Sequence, residues 1–426
     1  MLPVLVLYVS MVFAQSTDAE LSRYVEMMQL KSISAPPAKR EALYQLGLRL
    51  FYDNQLSGKE NISCHACHSL AGFSADTLPL AVGEGASGLA KERQQDQGLI
   101  IPRHTPALWN LGVDAVTSYF WDGRVRRHLE GGWQTPEPKL NGPNPELKEI
   151  AQTFDSLLAV QAVFPITSPE EMLGQGSTLS KIEAWNAAME RILNGRLGAS
   201  YKRFFREAFP GVEKFNIAHV GNALAELQRH HFKAINTPWD NYLNGEKKFM
   251  TERMKKGAVL FFGKASCSNC HNGEHLSNFG FLNIGIPQIG PGITNEDDQG
   301  RIDYRFRTAP LRNIALTAPY MHTGVFANMW EVIEHYNHPM RSLHHFNWNP
   351  VHPRYRQNLN LDQRRETMMA RTKTLAPNLP RNLGLSEDEK KDLYCFLMVG
   401  LTDLKNQKDL LGVFDEVDDC SPRLFN

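Results

Sequence analysis

The pentapeptide Cys-x-x-Cys-His occurs twice, as Cys64-His65-Ala66-Cys67-His68 and as Cys267-Ser268-Asn269-Cys270-His271. No other feature constrains the fold as much, because each copy requires a tight turn closed against a large planar group. Two thiols two residues apart on one turn add across the vinyl groups of a haem. The imidazole that follows then lies under the iron as its fifth ligand. With 6 Cys and 15 His in 426 residues, composition alone predicts roughly 0.003 matches per chain. A pair of zinc or redox Cys-x-x-Cys sites leaves both following histidines unexplained. The motifs therefore predict two covalent c-type haems, with Cys64, Cys67, Cys267 and Cys270 as thioether residues and His68 and His271 as proximal ligands. His65 and His275 read as surface residues, since the proximal role is already filled.

The length suits two or three domains with sizeable cores. The 46 basic and 46 acidic residues cancel, which argues against a nucleic-acid partner. Met1 to Ala14 is almost wholly apolar and ends Val12-Phe13-Ala14. It is too short to span a bilayer and reads as a signal peptide (residues 1–14), although it lacks basic side chains; the competing reading is an uncleaved anchor. No later segment is apolar enough to cross a membrane, so the expectation is an exported, periplasmic protein that is not integral to the membrane. Cys395 and Cys420 remain after haem attachment, and an oxidising compartment permits a disulfide between them; two independent thiols are equally compatible with the sequence.

The pattern is mainly α. Glu41 to Phe51 and Glu252 to Phe262 read as helices leading into the two motifs, and Ser386-Glu387-Asp388-Glu389 is a capping box opening a last helix. A helix before the motif and a helix closing the unit is a cytochrome c layout. The expected organisation is two cytochrome c-type domains, at 36–205 and 206–405, with a C-terminal tail at 406–426. The stretch from Phe204 to Phe215 marks the boundary. Thr135 to Pro145, with four prolines, reads as an exposed loop, and Ile284 to Gly300 as a Gly- and Pro-rich loop. Loops of this length tend to be functional.

Further stretches carry a resemblance: Leu50-Phe51-Tyr52-Asp53, Pro102-Arg103-His104-Thr105-Pro106, Phe120-Trp121-Asp122-Gly123-Arg124, and the run from Pro310 to His322. From about Leu46 to Leu401 the chain resembles bacterial dihaem cytochrome c peroxidases and the related MauG-type dihaem enzymes. The resemblance implies a peroxide-reactive N-terminal haem whose distal pocket is built from Gln161, Pro165 and Glu171. Glu170 is the alternative carboxylate, and a solvated turn is the plain structural reading. The segment between Arg124 and Gln161 is longer than the family pattern. Many such peroxidases carry a capping His sixteen residues after the first proximal ligand, and here that position is Glu84. The first haem is therefore expected to rest without a strong sixth ligand.

The resemblance also implies the second distal ligand. Relatives carry Met or, in MauG-type enzymes, Tyr at the position occupied here by Tyr336, with His335, His338 and Met340 as competitors. The helical spacing of Met329, Ile333 and Tyr336 fits a simple core face as well. Trp121 matches the tryptophan between the haems. Relatives hold calcium through an Asn and through carbonyls at positions matched by Thr317 and Pro319. The Asn position is His104 here, and imidazole suits calcium poorly.

The implied activity is reduction of hydrogen peroxide to water, with electrons entering at the C-terminal haem from a small cytochrome c or cupredoxin. A MauG-like oxidation of a partner protein's side chains is the alternative, and a dihaem electron carrier the third reading. Relatives are often homodimers.

Overall fold

The computed structural model describes residues 16–113, 115–290, 298–348, 351–353, 361–406 and 420. The expected signal peptide and nearly all of the 406–426 tail lie outside them. The described chain is helix-rich, with five short strands in a three-stranded and a two-stranded antiparallel sheet. Among the described residues no helix is long and apolar enough to cross a membrane.

Each motif follows a helix that crosses a closing helix at a glycine. The helix Glu41–Tyr52 turns Leu43, Leu46, Leu50 and Phe51 inward, and each such buried side chain contributes about 1.5–3 kcal/mol. It crosses Ile217–His231 at Gly47, where a Cβ would overlap the carbonyl oxygen of Ala223. The second half repeats the device. Glu252–Phe262, capped by Thr251, crosses Glu387–Cys395 at Gly257, where a Cβ would overlap the carbonyl of Asp392. The capping box read at Ser386 and Glu389 is formed.

Two large hydrophobic cores result. One runs from Leu43 to Ala234 and also takes in Phe279; the other gathers Leu21, Leu30 and most buried apolar residues from Trp239 onward, with small clusters at Leu80 and Ile289 and at Leu375, Ala376 and Leu379 beside them. The expected division at 205/206 falls inside the helix Gly198–Ala208. We propose that the domains divide between Ala234 and Trp239, where the core membership changes. The helix Thr17–Met27, which the sequence reading did not identify, packs on Glu252–Phe262 and is tied to it by Lys255 and Asp18 at 2.8 Å. The described residues thus start on the second core before building the first.

Cys395 and Cys420 form a disulfide, both residues buried. The stretch from Thr135 to Pro145 is exposed only in part, at Pro138, Lys139, Pro143 and Asn144. Thr135, Glu137 and Leu140 are buried, and the Asn141 side chain accepts from the Thr135 amide at 2.7 Å. Its prolines stiffen a packed turn behind the strand Trp133–Gln134.

Candidate functional site

The two motif turns hold their histidines alike. Cys64–Cys67 is one helical turn, and the His68 Nδ1–H donates to the Ser74 carbonyl at 2.9 Å. At the second, a 3-10 turn spans Cys267–Asn269 and the His271 Nδ1–H donates to the Leu276 carbonyl at 3.0 Å. A backbone acceptor on Nδ1 fixes the tautomer and leaves Nε2 for a metal. Burial pushes both imidazoles down to about 4, so each is neutral, the form that ligates. The four motif thiols carry no disulfide. Burial pushes Cys64, Cys67 and Cys267 up to about 12. These are neutral thiols in two separate parts of the molecule, a donor set suited to two thioether-bound groups and not to one four-thiolate metal site.

Beside the second motif lies a deep, mostly apolar cavity. Cys267, Cys270 and His271 line it, together with Met329, Ile333 and Tyr336 from one face of the helix Met329–Asn337. The core face and the candidate ligand face are therefore the same face. Burial raises the Tyr336 phenol's pKa, and the two thiols add to that rise. His335 points elsewhere, its Nε2 2.8 Å from the Ile284 carbonyl oxygen, and His338 and Met340 do not line the cavity. Arg307 also faces the cavity. It is buried, its Nη1 has no hydrogen-bond partner among the described residues, and burial lowers its pKa to about 10. A buried cation with a free donor fits a ligand bearing carboxylates, as the haem propionates are. The residues present at the second motif fit the haem that it implies.

Around the first motif the surroundings are charged. Glu171 sits on a turn of π-helix, Pro169–Leu173, a conformation common at functional sites. Its side chain is 22% exposed and lies 3.7 Å from Arg124. Burial raises its pKa, Arg124 opposes the rise, and Glu170 and Asp122 add to it. The Glu171 carbonyl accepts from the Glu84 amide at 2.9 Å, and the carbonyl oxygen of nearby Val82 lies 3.8 Å from the Cys67 Sγ, which places this turn beside the first motif. Gln161 lies in the helix Leu157–Ala162 and Pro165 opens the next turn, Pro165–Thr167. All three residues thus belong to one stretch of consecutive turns, 157–173.

Glu84 does not point into an open site. It is buried and accepts from Asn61 at 2.8 Å and from Lys59 at 3.2 Å, while its own amide donates to the Glu171 carbonyl at 2.9 Å. Its carboxylate is held below the usual range: burial works against this, but the Asn61 and Lys59 hydrogen bonds prevail.

Trp121 lines the second cavity, and its indole N–H donates to the His104 carbonyl at 2.9 Å. The His104 ring spends Nδ1 on the Leu78 carbonyl at 2.7 Å. Thr317 and Pro319 line the same cavity, and the Thr317 hydroxyl donates to the Ile314 carbonyl at 3.2 Å. His275 is buried, not a surface residue. The turn that returns Leu276 to His271 carries His275 inward against Phe279. His65 is half-buried, its ring 4.5 Å from that of Tyr52.

The comparisons agree with this geometry. Residues 41–248 match the family model described as di-haem cytochrome c peroxidase. The methylamine utilization protein MauG of Methylorubrum extorquens is 30% identical over 296 residues, 68% of this chain and 67% of that protein. The chain belongs to the di-haem cytochrome c peroxidase family. Another member, the cytochrome c551 peroxidase of Pseudomonas aeruginosa, is 29% identical over 298 residues, 68% of each chain. The crystal structure of a MauG-like protein associated with microbial copper homeostasis superposes with a TM-score of 0.59 at 25% identity, covering 88% of this chain and 94% of that one. The family thus includes relatives named as peroxidases and relatives named MauG.

Several residues of the site escaped the sequence reading. Arg307 carried no motif signal. Arg103, Asp122 and Arg124 were visible inside motifs, but their pairing with Asp298 and Glu171 needed the fold. The only clue was the loop from Ile284 to Gly300, which holds Asp298.

Proposed function

We propose that the chain is a dihaem peroxidase that reduces hydrogen peroxide to water with electrons from a small cytochrome c or cupredoxin, in the periplasm. The observation that carries this reading is Glu171, a part-buried carboxylate of raised proton affinity beside the first attachment turn. When bound, the haems supply one iron for peroxide and one for electron entry. Glu171 takes a proton from one peroxide oxygen and returns it to the other as that oxygen leaves, and its raised pKa suits both directions of transfer. The Gln161 amide orients the peroxide, and Pro165 keeps the turn between them fixed. Trp121, its indole anchored on the His104 carbonyl, lies between the two sites. Tyr336 closes the second site. The engagement of Glu84 by Lys59 and Asn61 leaves it unsuited to cap the first, so prior reduction is not needed to open it.

A MauG-like oxidation of a partner protein is the second reading. The tyrosine at 336, the missing histidine at 84 and the 30% identity to a MauG protein favour it. At the position where relatives hold calcium through an Asn, His104 commits its Nδ1 to the Leu78 carbonyl, which disfavours calcium there in both readings.

The test is to add stoichiometric peroxide to the purified diferric protein and follow optical and electron paramagnetic resonance spectra. Prompt reaction at a high-spin ferric site, followed by rapid return on adding a reduced small cytochrome, supports the peroxidase. A long-lived oxidised state shared by both haems, insensitive to such donors, supports the MauG-like reading. The absence of a high-spin site and of any reaction defeats both and leaves an electron carrier.

A further inference from the structure

A line of charge runs from Glu171 to the loop beside the second cavity. Arg124 Nη2 lies 3.7 Å from Glu171, and Arg124 Nη1 lies 3.3 Å from Asp122. Asp122 pairs with Arg103 at 2.7 Å. Arg103 holds Asp298 with two bonds, Nε at 2.7 Å and Nη2 at 3.0 Å. Asp298 is fully buried, and its charge acts on His322, which lines the second cavity. The interior members have little water to screen them, so a change at one end is felt along the line. Asp122 directly follows Trp121, and the line therefore runs beside a tryptophan that lines the second cavity.

We propose that Asp298, Arg103, Asp122 and Arg124 form a positioning relay that sets how strongly Arg124 engages Glu171, and so couples the acid–base carboxylate of the first site to the loop bounding the second. The inference rests on the reading of Glu171 as the acid–base group. Arg103 is shared between two carboxylates, and Arg124 is shared likewise between Asp122 and Glu171. Removing the charge of Asp298 commits Arg103 to Asp122 and frees Arg124 for Glu171. The other charged groups facing Glu171 are Glu170 on its own turn and, at longer range, Asp122 and Arg103. Glu84 presents only its backbone there, its carboxylate being turned to Lys59 and Asn61.

The relay is tested on the holoprotein by two readouts. One is the acid limb of the peroxide reaction. The other is the pH midpoint of the protonated-carboxyl C=O stretch in infrared difference spectra, assigned by its loss in Glu171→Gln. Asp298→Asn is expected to move both midpoints down, and Arg124→Gln to move them up by roughly one pH unit, with Arg124→Lys restoring most of the shift. Asp122→Asn, one link nearer, moves them the same way as Asp298→Asn and serves if that variant does not fold. Midpoints unmoved in these variants, with the Glu171→Gln protein inert, overturn the relay and leave the acid–base reading standing. A Glu171→Gln protein that reacts like wild type overturns the acid–base reading instead, while the Glu171 infrared band of the Asp298, Asp122 and Arg124 variants still reports on the relay. A merely structural network does not produce shifts of opposite sign.

Discussion

The turn at Cys64–His68 and the turn at Cys267–His271 sit in the same scaffold and in opposite surroundings. Each is preceded by a helix that crosses a closing helix at a glycine, and each anchors its histidine through Nδ1 on a backbone carbonyl. Beyond that point they diverge. The first is flanked by Glu171, Arg124 and the Glu84 network. The second opens on an apolar cavity whose Tyr336 shares a helix face with Met329 and Ile333. Attachment is specified by the motif and its two helices, whereas the chemistry is specified by the residues that surround it. Proton transfer needs an ionisable group of tuned affinity; a site that only passes electrons gains from being dry and closed.

The sharpest way to break this contrast is Glu171→Gln. Loss of the acid–base group is expected to slow the peroxide reaction by about 10²–10⁴-fold, or about 3–5 kcal/mol in the barrier, measured by stopped flow on the diferric protein. Tyr336→Phe is its counterpart. It is expected to change the optical and resonance spectra of the second haem while leaving those of the first as they were. An unchanged second-haem spectrum removes Tyr336 as a ligand. Equal effects of the two variants on the peroxide step would erase the distinction between the sites.

The halves also differ in covalent support, since only the second is stapled. Replacing Cys395 and Cys420 together by Ser is expected to cost about 2–4 kcal/mol, read as a lowered unfolding midpoint in denaturant. The loss should fall on the second core, leaving the first-haem spectrum intact until higher denaturant. In scaffold the halves should behave alike. Gly47→Ala and Gly257→Ala each push a methyl into a facing carbonyl, and each is expected to destabilise by about 1–3 kcal/mol. A cost at one crossing only would show that the two units are not built on the same principle.

How far the sequence carried the structure follows the same division. The helices Glu41–Tyr52 and Glu252–Phe262 and the cap at Ser386 were legible because their apolar spacing and capping chemistry are local. The candidate attachment residues stood out in the sequence because reaction with haem needs them in one pentapeptide. The seam proposed between Ala234 and Trp239 carried no local signal, because Ile217–His231 joins the first core through Gly47, a contact between residues far apart in sequence. Thr17–Met27 was missed for the same reason: its partner helix lies more than two hundred residues away. The prolines between Thr135 and Pro145 suggested exposure, but Leu140 and Asn141 draw that turn inward. Arg307 and Asp298 belong to the class that no local pattern reveals, single charges whose meaning lies in what the fold sets opposite them.

The smallest expected effect concerns two glutamates on adjoining strands of backbone that respond to pH in opposite senses. Glu84 is held below the ordinary carboxylate pKa of 4.5, with the Asn61 and Lys59 hydrogen bonds outweighing burial. Its charged form therefore stabilises the fold above about pH 4.5, and that contribution fades as pH falls through the lower folded value. Glu171, raised by burial, contributes in the other direction: its stabilisation is complete below about pH 4.5 and is lost as pH rises through the higher folded value. Glu84→Gln should thus cost on the order of 1 kcal/mol at neutral pH, where Lys59 is half-exposed and its share is screened, and less in acid. Glu171→Gln should gain stability at neutral pH and nothing in acid. Denaturant titrations of the two variants at pH 7 and pH 4 give the comparison. Slopes of the same sign would show that the two carboxylates, joined by the Glu84 amide on the Glu171 carbonyl, are not held in the opposed environments described here.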